Sequence, residues 1–286
     1  MPKDAYTVLH PEKRTSCVVF ASPHSGRDYP KHFLRSTVLN QTEIRSSEDA
    51  FVDQLFDVAP NFGAPLLRAG APRAFVDLNR SAEELDPAVI EGVRRQGHNP
   101  RISSGLGVIP RVVANGLAIY RGKISLQEAD RRIELYWKPY HAMLQMLLDS
   151  AQQQHGQAIL IDCHSMPREA VDGMDRAGMK RPNVVLGDRF GAAAGSTIMD
   201  QVEAAFASAG FDVARNAPFA GAYVTQAYGR PSRNQHTIQV EIDRSLYMNE
   251  RLIRPNKDFE ATQKRLRAVI EEISAIGQVR IPLAAE

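Results

Sequence analysis

Short apolar runs that alternate with long amphipathic segments are the feature that most restricts how this chain can fold. The runs are rich in β-branched residues and have the length of strands, which typically span about four to eight residues. They cover residues 17–22, 65–68, 74–78, 158–163, 183–186 and 237–242. Strands interleaved with helices predict an α/β fold, in which helices cover both faces of a mostly parallel sheet.

The amphipathic segments predict the helices between those strands. Ser125, with Glu128 three residues later, forms a capping-box pattern, and apolar residues then repeat at three- and four-residue steps. Pro139 lies inside this repeat and predicts a kink or a break. Further helices are predicted from Ser46 onward, over 191–209 and over 259–276.

The chain length is compatible with one large α/β domain or two small ones. It has 286 residues, of which 43% are hydrophobic. No linker rich in Ser, Gly and Pro interrupts the sequence, so we expect a single domain over residues 1–286. The glycine-rich segment 97–123 fits neither the strand nor the helix pattern. Loops of that length are usually functional, and we expect this one to cover the active site.

Charge and cysteine usage restrict the partners and the compartment. The 35 basic and 33 acidic residues give a net charge of +2, which predicts no nucleic-acid partner and no anionic membrane partner. No apolar run approaches the ~20 residues of a membrane span, and the first residues lack the apolar core of a signal peptide. Only Cys17 and Cys163 are present, which favours a reducing compartment. We expect a cytoplasmic protein.

Reactive side chains follow or end several of the predicted strands. His24, His164 and Arg80 each lie at the end of an apolar run, and Glu241 lies inside one. Ligands of open α/β sheets bind at the carboxyl ends of the strands. The sequence therefore predicts that these four residues meet at one site, although each alone is also compatible with an ordinary polar loop residue.

The two histidines point to a metal. Neutral imidazoles are good zinc ligands, and a catalytic zinc takes three protein ligands and one water. The third ligand would be a carboxylate, and the motif SSED offers Glu48 and Asp49. The alternative interpretation of this acidic pair is that it stabilises the first turn of a helix.

Strand alternation orients the neighbours of His164. Asp162 is two residues away and projects on the same side, where it can orient a ligand histidine. Cys163 projects to the opposite face, which argues against a Cys–His catalytic pair and predicts a buried structural cysteine. The same alternation separates Glu241 from Ile238, Val240 and Ile242. Glu241 is then a candidate general base, or a polar residue of an amphipathic edge strand.

Several motifs in this order resemble the N-formylglutamate amidohydrolase family. They are SPHSGRDYP (22–30), SSEDAFVDQL (46–55), RAFVDLNR (73–80), DCHSMP (162–167), GAYVTQAYGRP (221–231) and HTIQVEIDRSLYM (236–248). The resemblance implies a three-layer α/β/α sandwich with a mixed, mostly parallel central sheet, related to the zinc carboxypeptidases and the aspartoacylase group, and one Zn²⁺ per chain.

The resemblance also implies a role for each motif residue. His24, Asp49 and His164 match the metal ligands, with Glu48 as the alternative carboxylate. Glu241 matches the general base and Arg73 the arginine that stabilises the oxyanion. Asn79 and Arg80 match the pair that binds the substrate carboxylate.

The reaction implied by the resemblance is zinc-dependent hydrolysis of N-formyl-L-glutamate to formate and glutamate, a step resembling histidine breakdown. Many close members of the family have Thr-Arg where this chain has Thr225 and Gln226. Two alternatives therefore stay open. One is a related zinc amidohydrolase acting on another N-acyl amino acid, and the other is a family member that binds a small molecule without turnover.

Overall fold

The computed structural model describes residues 1–94, 99–174 and 181–278. The strands in these ranges are β1 Tyr6–Leu9, β2 Val18–Ser22, β3 Leu66–Ala69, β4 Ala158–Met166, β5 Val184–Gly187, β6 Val213–Arg215, β7 Gln235–Asp243, β8 Met248–Asn249 and β9 Arg254–Pro255. The α-helices are α1 Lys31–Ser36, α2 Val52–Leu55, α3 Pro100–Ser103, α4 Leu126–Arg132, α5 Lys138–His155, α6 Ser196–Ser208, α7 Tyr223–Tyr228 and α8 Phe259–Ser274.

A seven-stranded mixed sheet, in the order β1-β3-β2-β4-β7-β5-β6, forms the centre of the described structure. The pairs β3–β2, β2–β4, β4–β7 and β5–β6 are parallel, whereas β1–β3 and β7–β5 are antiparallel. The prediction of a mostly parallel sheet is confirmed. Strand β7 lies between β4 and β5, so Glu241 does not belong to an edge strand.

Helices cover both faces of the sheet, which confirms the predicted three-layer α/β architecture. Strand β4 shows how its alternating side chains divide between the layers. Ile161 and Cys163 join the core formed with α6 and α8, whereas Leu160 joins the core formed with α5. Cys163 is fully buried and unpaired, as expected of a structural cysteine. His164 projects to the same side as Leu160.

The long helical segment begins as predicted at Ser125, whose Oγ accepts a hydrogen bond from the Glu128 amide. The Glu128 carboxylate pairs with Arg132 instead of completing the capping box. A π-helical turn over Ile133–Trp137 separates α4 from α5. Such a turn inserts one extra residue, and here it lies just before Pro139, whose ring would clash with a regular helical carbonyl. The disruption predicted at Pro139 is therefore a π-helical turn, after which the segment continues as the α-helix α5.

The predicted strand 74–78 is wrong, because residues 73–80 form turns. The amides of Phe75 and Val76 both donate to Pro72 O, and the Asp77 amide donates to Val108 O. Ala74, Phe75, Val76 and Leu78 are nevertheless buried. A buried loop and a buried strand share this apolar composition, and the hydrogen bonds distinguish them.

The helix predicted from Ser46 is also wrong, because α2 begins only at Val52. Phe51 has a left-handed backbone conformation with φ 68°, which a continuous right-handed helix does not allow. The helix predicted over 191–209 begins later, at Ser196, and the one over 259–276 is confirmed by α8.

Segment 97–123 is described from residue 99 onward, and its first two residues lie outside the described ranges. It contains α3 and packs Val108, Ile109, Val113 and Ile119 into the core. None of the helices in the described ranges is long and apolar enough to cross a bilayer.

Candidate functional site

The carboxyl ends of three parallel strands carry the central residues of the site. His24 follows β2, His164 lies near the end of β4, and Glu241 lies opposite His164 in the register of β4 and β7. Asp49 reaches the same place from the turn before α2, where its amide donates to His24 O at 3.0 Å. Ligand atoms of His24, Asp49 and His164 lie within 4.8 Å of one another.

Asp49, and not Glu48, is the carboxylate that the structure brings to the histidines. Asp49 Oδ2 lies 2.9 Å from His164 Nδ1 and 3.3 Å from His24 Nδ1. The Glu48 carboxylate accepts hydrogen bonds from Arg45 and Tyr29 instead. Neither carboxylate caps a helix, because the helix expected there is absent.

A second carboxylate holds the far side of each imidazole. His24 Nε2 lies 2.7 Å from Asp77 Oδ1, and His164 Nε2 lies 2.9 Å from Asp162 Oδ2. His24 Nδ1 is buried and has no hydrogen-bond partner in the described structure. Metal-binding histidines typically donate one ring N–H to a carboxylate and present the other nitrogen to the metal. The donors fit a metal with two nitrogen ligands and one oxygen ligand.

The buried carboxylates favour a cation at this position. Burial alone would raise the pKa of Asp49, but the hydrogen bond from His164 and the charges of the two nearby imidazoles hold that pKa well below its ordinary value. Burial also opposes ionisation of Asp77, and the charges of His24 and Arg73 hold its pKa well below the ordinary value. Asp77 was not singled out in the sequence, although it lies inside the same motif as Asn79 and Arg80.

Glu241 is the buried acid beside the cluster. Its Oε1 accepts a hydrogen bond of 2.8 Å from Gln239 Nε2. Burial is the main cause that raises the pKa of Glu241 to about 7; the charges of His164 and Arg73 oppose this increase, and the charge of Asp49 adds to it. A carboxyl group with a pKa near neutrality can both accept and return a proton.

A pocket of about 420 Å³ is lined by His24, Asp49, His164 and Glu241, together with four arginines. Arg73 Nε lies 3.2 Å from Asp77 Oδ2, and Arg244 Nη2 lies 2.9 Å from Asp49 Oδ1. Arg80 and Arg101 have no carboxylate within 4.0 Å in the described parts of the chain.

The sequence-predicted substrate-binding pair lies in this pocket and is tied to its walls. Asn79 Oδ1 accepts a hydrogen bond from the Val224 amide, and its Nδ2 lies 3.1 Å from His164 Nε2. Arg80 Nε donates to Leu106 O at 2.8 Å. Arg80 therefore ends a buried loop rather than a strand. Arg101 and Leu106 line the pocket from segment 97–123.

Sequence reasoning missed Arg101 and Arg244. Arg244 follows Glu241 by three residues, and its position just after β7 was the available signal. Arg101 lies in the segment that was expected to cover the site, but nothing in the sequence separates it from the other arginines there.

Known proteins resemble this chain over most of its length. The family model for N-formylglutamate amidohydrolase matches residues 16–248. An N-formylglutamate deformylase of Pseudomonas putida is 27% identical over 236 residues, covering 82% of each chain. An N-formylglutamate deformylase of Pseudomonas aeruginosa is 27% identical over 269 residues, covering 92% of this chain and 94% of the relative.

Solved structures show the same relationship. The crystal structure of an N-formylglutamate amidohydrolase from Ralstonia eutropha JMP134 superposes with a TM-score of 0.87 at 33% identity, covering 94% of this chain and 96% of that one. A gene product of Agrobacterium tumefaciens shares the fold, with a TM-score of 0.65 at 14% identity. With the match of the family model, these findings show that the chain belongs to the N-formylglutamate amidohydrolase family, a family of hydrolases.

Proposed function

We propose that this chain hydrolyses N-formyl-L-glutamate to formate and L-glutamate, with one zinc ion held by His24, Asp49 and His164. The observation that carries the proposal is the buried cluster of two imidazoles and one carboxylate, in which His24 Nδ1 lacks a hydrogen-bond partner among the described residues. Glu241 lies beside this cluster in the same pocket. A metal site next to a buried acid supplies both an activated water and a proton acceptor, which together can hydrolyse an amide.

The relatives support the choice of reaction. Two of them are named N-formylglutamate deformylase, and the chain matches each over more than four-fifths of its length. A zinc ion at the cluster would supply Lewis-acid chemistry, which activates water and polarises an amide carbonyl.

Glu241 would move the protons of the reaction. Its carboxylate accepts a proton from the attacking water, whose oxygen forms a bond to the formyl carbon. The same carboxyl group then gives the proton to the amide nitrogen as the carbon–nitrogen bond breaks. Formate and the free amine of glutamate are released. Gln239 holds Oε1 of Glu241, so the second oxygen is the one available for this transfer.

The arginines and Asn79 would bind the charged parts of the substrate. Arg73 lines the pocket while its Nε stays on Asp77, and its guanidinium would stabilise the negative charge that develops on the carbonyl oxygen. Asn79 and Arg80 would bind a substrate carboxylate, which positions the amide next to Glu241.

Metal analysis and formate release test this proposal. The purified protein should contain about one zinc per chain and should release formate from N-formyl-L-glutamate. N-acetyl- and N-succinyl-L-glutamate should react more slowly. Zinc without formate release, with turnover of another N-acyl amino acid, would favour the related amidohydrolase. A protein that binds no metal would favour the non-catalytic alternative.

A further inference from the structure

The four arginines of the pocket are not equivalent, because only two of them face a carboxylate. Arg73 pairs with Asp77 and Arg244 with Asp49. Arg80 and Arg101 have no acidic partner within the part of the chain that the structure describes. Arg80 is only 7% exposed, and a buried cation without an anion is costly. The pocket therefore has two positive charges available for a ligand.

Backbone contacts place these two arginines on the same wall. Arg80 Nε donates to Leu106 O at 2.8 Å, and the Leu106 amide donates to Arg101 O, also at 2.8 Å. The turn that carries Arg101 is held at its start by Asn99, whose side chain accepts hydrogen bonds from the Arg101 and Ile102 amides. Leu106 thus connects the backbone of Arg101 to the side chain of Arg80, and both arginines line the same pocket.

The two guanidinium groups also repel one another. Burial is the main cause that lowers the pKa of Arg80, and the charges of Arg73 and Arg101 lower it further, against the opposing effect of Asp77. A ligand with two anionic groups would relieve this repulsion and supply both missing partners. A ligand with one anionic group would leave one guanidinium without a partner.

We infer that Arg101 is a specificity-determining residue that binds the side-chain carboxylate of a dicarboxylic N-acyl amino acid, while Arg80 binds its α-carboxylate. The inference rests on the proposed function, because it assumes that an amide nitrogen lies at the cluster. Arg80 adjoins Asn79, whose Nδ2 is 3.1 Å from His164 Nε2, so Arg80 lies on the side of the metal ligands. The α-carboxylate is bonded to the carbon next to the scissile nitrogen, whereas the side-chain carboxylate of glutamate extends farther, toward segment 97–123.

A pair of substrates that differ only in this charge tests the inference. N-formyl-L-glutamine has nearly the shape of N-formyl-L-glutamate but a neutral side chain. Arg101→Gln should lower kcat/KM for the glutamate substrate about 10- to 100-fold and leave kcat/KM for the glutamine substrate nearly unchanged. Arg80→Gln should lower both values, since both substrates have the α-carboxylate. Arg121→Gln makes the same charge change at an exposed position of the same segment and should alter neither.

The outcomes separate the inference from the proposed function. If Arg101→Gln lowers both values equally, or keeps the preference for glutamate, Arg101 does not bind the side-chain carboxylate, although formate release by the wild type still supports the proposed function. If the wild type releases no formate, the proposed function fails. Calorimetry with glutarate and its half-amide, glutaramate, then decides the inference, because only glutarate should bind more weakly to Arg101→Gln. Equal binding of glutarate by wild type and variant would overturn it.

Discussion

Arg244 Nη2 donates a hydrogen bond of 2.9 Å to Asp49 Oδ1, and Asp49 Oδ2 lies 2.9 Å from His164 Nδ1. The two oxygens of one carboxylate are therefore used for different contacts. Arg244 Nη2 also donates a hydrogen bond to Glu48 O, and Arg244 Nε donates one to Ser165 Oγ. Arg244 is buried, and its contacts fix the orientation in which Asp49 faces the histidines.

This contact predicts that Arg244→Lys weakens zinc binding about 10- to 100-fold, which is the usual effect of removing a residue that orients a metal ligand. The ammonium group of lysine has a single nitrogen, so it cannot reproduce the hydrogen bonds that the guanidinium donates from several nitrogens. Competition with a chelator measures the affinity, and circular dichroism checks the fold. Arg254→Lys, at an exposed position, is the matched control. An unchanged affinity would show that the histidines alone orient Asp49.

The proposed ligands predict that His24→Ala and His164→Ala each lose the zinc. Each substitution removes one of the nitrogen donors and leaves Asp49 with a single imidazole partner. His155→Ala, at the exposed end of α5, should keep about one zinc per chain. Metal content after dialysis is the measurement. Full occupancy in either variant would exclude that histidine from the metal site.

The buried strands could be predicted because a strand covered on both faces has a nearly continuous apolar sequence. Strand β2 and the first half of β4 follow this pattern, and they lead to His24 and His164. Strand β7 instead alternates apolar and polar residues, and this alternation predicted that Glu241 projects away from Ile238 and Val240. Alternation along β4 also predicts the directions of Asp162, His164 and Cys163 from the sequence alone. Strand β1 was missed, because it is short and only partly buried.

The rest of the site depends on contacts between residues far apart in the sequence. Asp49 and Arg244 are separated by 195 positions, and no periodicity relates them. Residues 73–80 have the composition of a strand, yet the hydrogen bonds of the turns place Asp77 against His24. The acidic pair Glu48 and Asp49 matched a helix start, but the helix begins only after the left-handed Phe51, and Asp49 is held in the pocket by the contact of its amide with His24 O.

Glu241→Gln should fold and keep its zinc but lose about 10²- to 10⁴-fold in kcat, because the substitution removes a proton acceptor and not a proposed metal ligand. The amide oxygen of the new side chain can still accept the hydrogen bond from Gln239. Substrate affinity should change little, since proton transfer is made only in the transition state. Glu260→Gln, on exposed α8 surface, is the control.

Two results would contradict this role of Glu241 in different ways. Turnover close to that of the wild type would make it a structural residue of β7. Loss of zinc together with activity would make it a metal ligand. Metal analysis and a formate assay on the same preparation distinguish the two results.

His141 predicts how the fold responds to acid. It is buried on α5, where Nε2 lies 2.9 Å from Leu78 O and therefore carries the proton, and Nδ1 accepts from the Tyr228 hydroxyl. Burial lowers the pKa of His141 from 6.5 to about 4, although the Leu78 carbonyl opposes the shift. The neutral imidazole is thus required in the folded state.

Because the pKa of His141 is lower in the folded state, the unfolded chain takes up its proton first as the pH falls. The contribution of the neutral His141 to the stability of the fold is therefore complete above pH 6.5, and it is lost progressively as the pH falls to about 4. A shift of this size corresponds to about 3 kcal/mol in the free energy of unfolding. His141→Gln should be less stable than the wild type at pH 7.5, and the difference should shrink toward pH 4.5. Urea unfolding at several pH values measures it, and a difference that stays constant with pH would contradict the shifted pKa.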